Sequence, residues 1–152
     1  MGLPNVFSKE VTEQLVARIN KLLPTTQPKW GKMNVAQMLA HCNVTYEITF
    51  ENIHPKPGKF KQSILKLLVK RGVVNDVPYK QNSPTAPVFK VASQQDFEKQ
   101  HERLIAYLNK TVELGEDYFE GREYPNFGAL NKQEWSNMFY KHLNHHLTQF
   151  GV

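Results

Sequence analysis

Two histidines four residues apart, His142 and His146, stand near the end of the chain on a segment whose apolar residues recur at helical spacing. At about 100° per residue, Trp135, Phe139, His142, His146 and Gln149 fall along one stripe. Two imidazoles and an amide thus occupy positions where a helix facing a core would carry apolar groups. Imidazoles at that spacing point the same way and can share one divalent ion. The spacing alone more often marks a surface or hydrogen-bonded pair than a metal site, so the stripe carries the argument. Two buried imidazoles without partners leave polar nitrogens unsatisfied at about 1–3 kcal/mol each, and a shared ion satisfies both.

A third ligand must come from another element, and His41, His54, His101 and His145 are available. His41 ranks first. It shares a stripe with Met38, Thr45 and Ile48 on a segment that is apolar on more than one face, which predicts an enclosed ring. His101, on the stripe from Phe97 to Leu104, is a competitor. His54 precedes a proline outside regular helix, and His145 lies beside the His142–His146 stripe, at the rim. Gln149 is placed to orient a ligand or to satisfy nearby backbone. Cys42 falls on the Leu39-to-Tyr46 stripe and reads as a small core residue, and Trp30 and Trp135 read as packing anchors. No general base stands out: Glu47 and Glu51 fall on the other side of their helix from His41, and Glu134 reads as a cap.

Four helical segments must position these residues. The first opens at Ser8, runs through Val11, Leu15, Ile19 and Leu22, and ends at Pro24. The second opens at Asn34, with Gln37 three residues on in a capping-box arrangement, and runs through Phe50 to stop before Pro55. The third opens at Ser93 with Asp96 three residues later, aligns Phe97, Leu104, Leu108 and Val112, and stops at Gly115. The fourth opens with the Asn131–Glu134 box and runs to Gly151. Between the second and third lie some 40 residues punctuated by Pro55, Pro57, Pro78, Pro84 and Pro87, with a short helix expected from Ser63 to Arg71 and a weak strand signal at Val88 to Val91. The expected fold is all-α, a four-helix bundle with one long crossover connection between helices 2 and 3, in a single domain over residues 1–152.

Composition narrows the partners. The chain of 152 residues has the apolar and charged fractions of a globular protein, and a domain of that size buries about two-thirds of the surface its unfolded chain exposes. The amino terminus lacks a signal-peptide pattern, and no apolar run approaches the roughly 20 residues that span a bilayer. A single cysteine suits a reducing compartment. These features lead to the expectation of a cytoplasmic protein with no membrane partner. The formal charge of +5 concentrates in Lys56, Lys59, Lys61, Lys66, Lys70 and Arg71, a stretch free of acids. Nucleic-acid binders usually spread cations along a face with interleaved aromatics, so no nucleic-acid partner is expected. A solvated helix face or a local anion site explains the run better.

The stretch from Trp30 to His41 (WGKMNVAQMLAH), the segment from Phe127 to Trp135 (FGALNKQEW) and the ending from Tyr140 to Phe150 (YKHLNHHLTQF) together resemble the DinB/YfiT-like superfamily, most closely its short, uncharacterised members. The likeness covers nearly the whole chain and is weak across residues 55–92. It implies a divalent metal held by His41, His142 and His146; helical position, and not the resemblance, puts His145 and Gln149 close behind them. Three neutral imidazoles leave a position open, as catalytic sites do, and zinc, nickel and iron all accept this ligand set. A bound water or thiol would there become a nucleophile near neutral pH. The resemblance implies a metal-dependent enzyme, a transferase using a low-molecular-weight thiol on a small electrophile. The alternatives are a metal-dependent hydrolase, or a non-catalytic metal- or ligand-binding module of stress responses working mainly as a homodimer. Fold alone does not choose among them.

Overall fold

The computed structural model describes residues 2–152. The described chain is mostly helical, with α1 at Lys9–Ile19, α2 at Val35–Phe50, α3 at Lys59–Leu68, α4 at Lys70–Val74, α5 at Phe97–Leu114, α6 at Glu116–Phe119 and α7 at Lys132–Gln149. A tight 3-10 turn, Pro87–Phe89, precedes α5. The strands β1 (Glu123–Tyr124) and β2 (Gly128–Ala129) form a small antiparallel hairpin that the sequence reading did not anticipate.

The two capping boxes explain where α2 and α7 begin. Asn34 Oδ1 accepts the Gln37 backbone N–H at 2.9 Å while Gln37 Oε1 accepts the Asn34 N–H at 3.0 Å. Asn131 and Glu134 repeat the exchange at 2.9 and 3.0 Å. Each box satisfies two amides that a helix start otherwise leaves free. At α1 the start is right but the mechanism differs, and the helix ends at Ile19, short of the expected Leu22: the Ser8 side chain makes no capping bond, and Thr12 instead donates to the Val6 carbonyl at 3.0 Å.

Three expectations need correction. The third long helix starts at Phe97 and not at Ser93, because Asp96 is the residue whose carboxylate accepts the Lys99 N–H. Its inward stripe is Gln100, Leu104, Tyr107, Leu108 and Thr111. The crossover helix begins at Lys59, directly after Pro57 and Gly58, and breaks at Val69 into α3 and α4. Val88 to Val91 is no strand; the chain there makes the 3-10 turn, whose first residue is Pro87 with φ already suited to a tight turn.

The core lies where α2 meets α5 and α7, and α1 packs on α5 and α7. Tyr46 stacks between Tyr107 and Phe139, with ring centroids 5.4 and 4.9 Å away. Trp135 and Phe119 close the cluster beside Phe139. Cys42 is fully buried, and burial pushes its thiol far up from its usual range. The crossover is fastened to α7: Lys141 Nζ donates to the Gly72 carbonyl and to both oxygens of Asn75 at 2.7–2.8 Å. Asn137 donates to the Val74 carbonyl at 2.9 Å.

The difference between the two kinds of helix start is measurable. Asn131→Ala is expected to lower the unfolding free energy by about 1 kcal/mol in urea titration. Ser8→Ala, which removes no capping bond, should change it by less than about 0.5 kcal/mol.

Candidate metal centre

α2 delivers His41 from its inward face, and α7 delivers His142 and His146 one turn apart. Their ligand atoms all lie within 4.8 Å of one another, and the group could hold a metal ion. His41 and His146 are buried, and His142 keeps a partly accessible edge. His41 Nε2 and His142 Nε2 are 2.9 Å apart. Two nitrogens bonded to one tetrahedral ion at about 2.0–2.1 Å stand about 3.3 Å apart, a spacing bracketed by these distances.

What each ring does with its other nitrogen decides whether the first can bind. His41 Nδ1 lies 2.8 Å from the Phe89 carbonyl, which can only accept, so the His41 proton resides on Nδ1 and Nε2 presents its lone pair. His146 Nδ1 lies 2.8 Å from Gln149 Oε1. That amide is oriented in turn by its Nε2–H, which donates to the Trp30 carbonyl at 2.8 Å. The oxygen therefore faces the ring, and His146 Nε2 is also left bare. His142 Nδ1 lies 3.1 Å from Thr45 Oγ1, a hydroxyl that can donate or accept. With His41 Nε2 bare, the proton in the 2.9 Å contact sits on His142 Nε2, and Thr45 donates to His142 Nδ1. If the hydroxyl rotates to accept, His142 holds its proton on Nδ1 and frees Nε2. All three Nε2 atoms are then free to bind without any ring changing charge.

All three rings are held neutral. Burial lowers the pKa of His41, an effect partly opposed by its bond to the Phe89 carbonyl. Burial, and then the neighbouring imidazoles, puts His142 well below the ordinary range. Burial, followed by His41, brings His146 down to about 3. Neutral imidazole is the form that binds metal.

Of the other histidines, none joins the cluster. His101 packs against Phe97. His54 contacts Glu47 at 2.6 Å, and Glu47 also pairs with Arg103 at 2.8 Å. His145 is half-buried, with its ring between Trp30 and Tyr79 and against the edge of His146. A cavity of about 210 Å³ lined by Trp30, Tyr79, Lys141, Asn144, His145 and Thr148 opens on that side. Sequence reasoning found the three rings and Gln149 but not their other supports. Thr45 had a readable signal, a polar residue one turn from His41 on the same stripe. The Phe89 and Trp30 carbonyls had none, since backbone acceptors leave no mark in residue type. Gly31 was also missed: its φ is +85°, and a Cβ there would come within 2.5 Å of the Gln149 amide nitrogen.

Two outcomes follow. Gly31→Ala, some distance from the rings, should push Gln149 off His146 and weaken binding of a divalent ion by about tenfold or more; isothermal titration calorimetry with zinc measures this, with circular dichroism confirming helicity. The sign of the pH effect is also fixed. Histidines with native pKa values below the unfolded value of about 6.5 take up protons mainly on unfolding between that value and about 3. The metal-free protein should therefore lose stability as pH falls below about 6.5, at up to roughly 1.4 kcal/mol per unit for each ring. Urea titrations at pH 7.5 and 5.5 in chelator read this, and His146→Leu should flatten the slope.

Comparison with known proteins returns one family. No curated protein and no solved structure matches the chain. Residues 8–151, which include every residue of the site, match the family described as "Protein of unknown function (DUF1569)". The chain belongs to the DUF1569 family.

Proposed function

We propose that the protein is a metal-dependent enzyme of the DinB-like type, a four-helix bundle whose His41–His142–His146 centre activates a low-molecular-weight thiol for transfer to a small electrophile. One observation carries the reading. Each of the three rings has its Nδ1 matched to an oxygen, from Phe89, Thr45 and Gln149, so that once the Thr45 hydroxyl turns to accept, all three Nε2 atoms are free to bind. Any buried histidine needs a partner for its N–H; what favours the metal reading is that three rings so supported lie together, with ligand atoms within 4.8 Å of one another. When bound, zinc, nickel or iron would lower the pKa of a thiol at the open position and make it a nucleophile.

The chain's own groups favour thiol transfer over hydrolysis. Water activation gains from a carboxylate that removes a proton, and the carboxylates of α2 are engaged elsewhere. Glu47 is held by His54 and Arg103, and Glu51 accepts from Tyr107. His145, with Trp30 and Tyr79, lines the cavity beside the centre and would bind the organic part of a small substrate. Lys141 at the same cavity has its pKa lowered to about 8 by burial. Its three protons are donated to the crossover, which makes it a strut and not a nucleophile.

Elemental analysis of untagged protein should find close to one equivalent of a divalent metal, lost in His142→Ala. Incubation of the loaded protein with a model electrophile such as chlorodinitrobenzene or monobromobimane, and with bacillithiol, mycothiol or glutathione in turn, should give metal-dependent adduct formation with one of them. Metal without turnover for any thiol would point to the binding module. Turnover of an ester without thiol would point to the hydrolase. Less than about half an equivalent of metal, unchanged in the variant, would remove the metal reading altogether.

A further inference from the structure

The crossover carries a surface that the metal centre does not use. α3 has no buried residue. Phe60, Leu67 and Leu68 are 82%, 81% and 73% exposed, and Ile64 is 41% exposed. At about 100° per residue these four fall within an arc of about 100°. The opposite side of the helix holds it to the body: Leu65 packs against the core, and Gln62 donates to the Pro125 carbonyl at 2.9 Å. The helix therefore shows its most apolar stripe to solvent, and it is anchored from behind so that the stripe stays outward. Beyond its end, α4 is clamped to α7 through Val74, Asn137 and Lys141.

Cations border this stripe. Lys61 stands just beside the arc on one side, while Lys59 and Lys66 lie about 80° and 100° beyond its other edge, with Lys56 and Arg71 outside the two ends. Lys70 pairs with Glu134 at 2.9 Å, but among the described residues none of the other five makes an ion pair. No acid interrupts Lys56 to Arg71. From this geometry we infer that α3 is a docking helix for the surface of an anionic phospholipid bilayer. The stripe enters the headgroup boundary, and the flanking lysines extend along it to the phosphates.

Charge selects this occupant. A second copy of the chain applied through the same face would bring two acid-free, lysine-bearing helices together with no carboxylate on either to offset their charge, an unfavourable arrangement for a two-fold contact. The apolar side chains project from a helix that has no buried residue, which suits a fluid boundary that can close around them. The lack of a long apolar helix bears only on crossing a bilayer, since no helix among the described residues is long and apolar enough to do so. Lying on a surface requires a one-sided helix of the kind seen here.

Flotation of the full-length protein with vesicles tests the inference. Phosphatidylcholine vesicles containing about a third phosphatidylglycerol should bind at least roughly tenfold more protein than phosphatidylcholine alone. Raising salt from about 0.05 to about 0.5 M should release most of it. The combined variant Phe60→Ser, Leu67→Ser, Leu68→Ser should lose the binding at low salt, as should Lys59→Glu, Lys61→Glu, Lys66→Glu. These side chains are exposed, so both variants should keep the parent's circular dichroism and thermal midpoint. Absence of binding to anionic vesicles, equal binding to both vesicle types, or binding unchanged in the serine variant would overturn the inference. So would a dimer in sedimentation that the serine variant abolishes while vesicles stay free, an outcome that assigns the face to a second copy.

Discussion

An imidazole buried in a helical core has two nitrogens and, when neutral, one proton, and the position of that proton governs everything else in this molecule. A ring becomes a ligand through one nitrogen only if its proton sits on the other, and an acceptor that has no alternative keeps it there. His41 meets this with the carbonyl of Phe89 and His146 with the oxygen of Gln149, whose amide is turned by the Trp30 carbonyl. Elements that otherwise read as connections acquire a purpose from this requirement. The 3-10 turn at Pro87–Phe89 closes the crossover over α2, and the segment before α2 is tied to the end of α7 twice, by the Trp30 carbonyl and by the Lys29 N–H that donates to the Gln149 carbonyl at 2.7 Å.

The same economy of polar partners keeps other charges out of the centre. Glu47, buried on α2, is fully occupied by His54 and Arg103, so its charge is compensated within its own corner of the fold. Removing one partner of such a group costs far more than the pair contributes, which ties the three residues together as a unit. Lys141, next in sequence to His142, is buried without a carboxylate and spends its ammonium protons on oxygens of Gly72 and Asn75. The long connection is thus pinned to α7 beside one histidine and to α2 above another.

Much of this was legible in the residues because helices write their orientation into sequence. The capping boxes at Asn34 and Asn131 located the starts of the two helices that carry the rings, and the i, i+4 spacing put His142 and His146 on one side of α7. The stripe containing Thr45 ranked His41 first of four candidates, but it left His101 as a competitor, and the resemblance was needed to choose between them. Legibility failed where the structure depends on backbone. A carbonyl such as that of Phe89 is the same in every residue type, and the close approach of Gln149 to Gly31 is visible only once both ends of the chain are in place. The start of α5 was misplaced because Ser93 and Asp96 are both competent caps, and only packing chooses between them. The outward apolar face of α3 was not legible for a related reason: its charge pattern was plain in the sequence, but whether Phe60, Leu67 and Leu68 are covered is decided by its neighbours.

The separation of the rings along the chain has a further consequence. His41 and His142 lie 101 residues apart, and between them run the crossover, α5 and the hairpin. A single ion shared by both rings would close that span into a loop, as a disulfide does. In the chain-entropy account, a covalent link closing a loop of about 100 residues restricts the unfolded chain by about 4–5 kcal/mol. A reversible clasp acts in the same direction only as long as both ends stay attached. Under this description the centre is also a topological fastener, joining the first third of the polypeptide to its last turns.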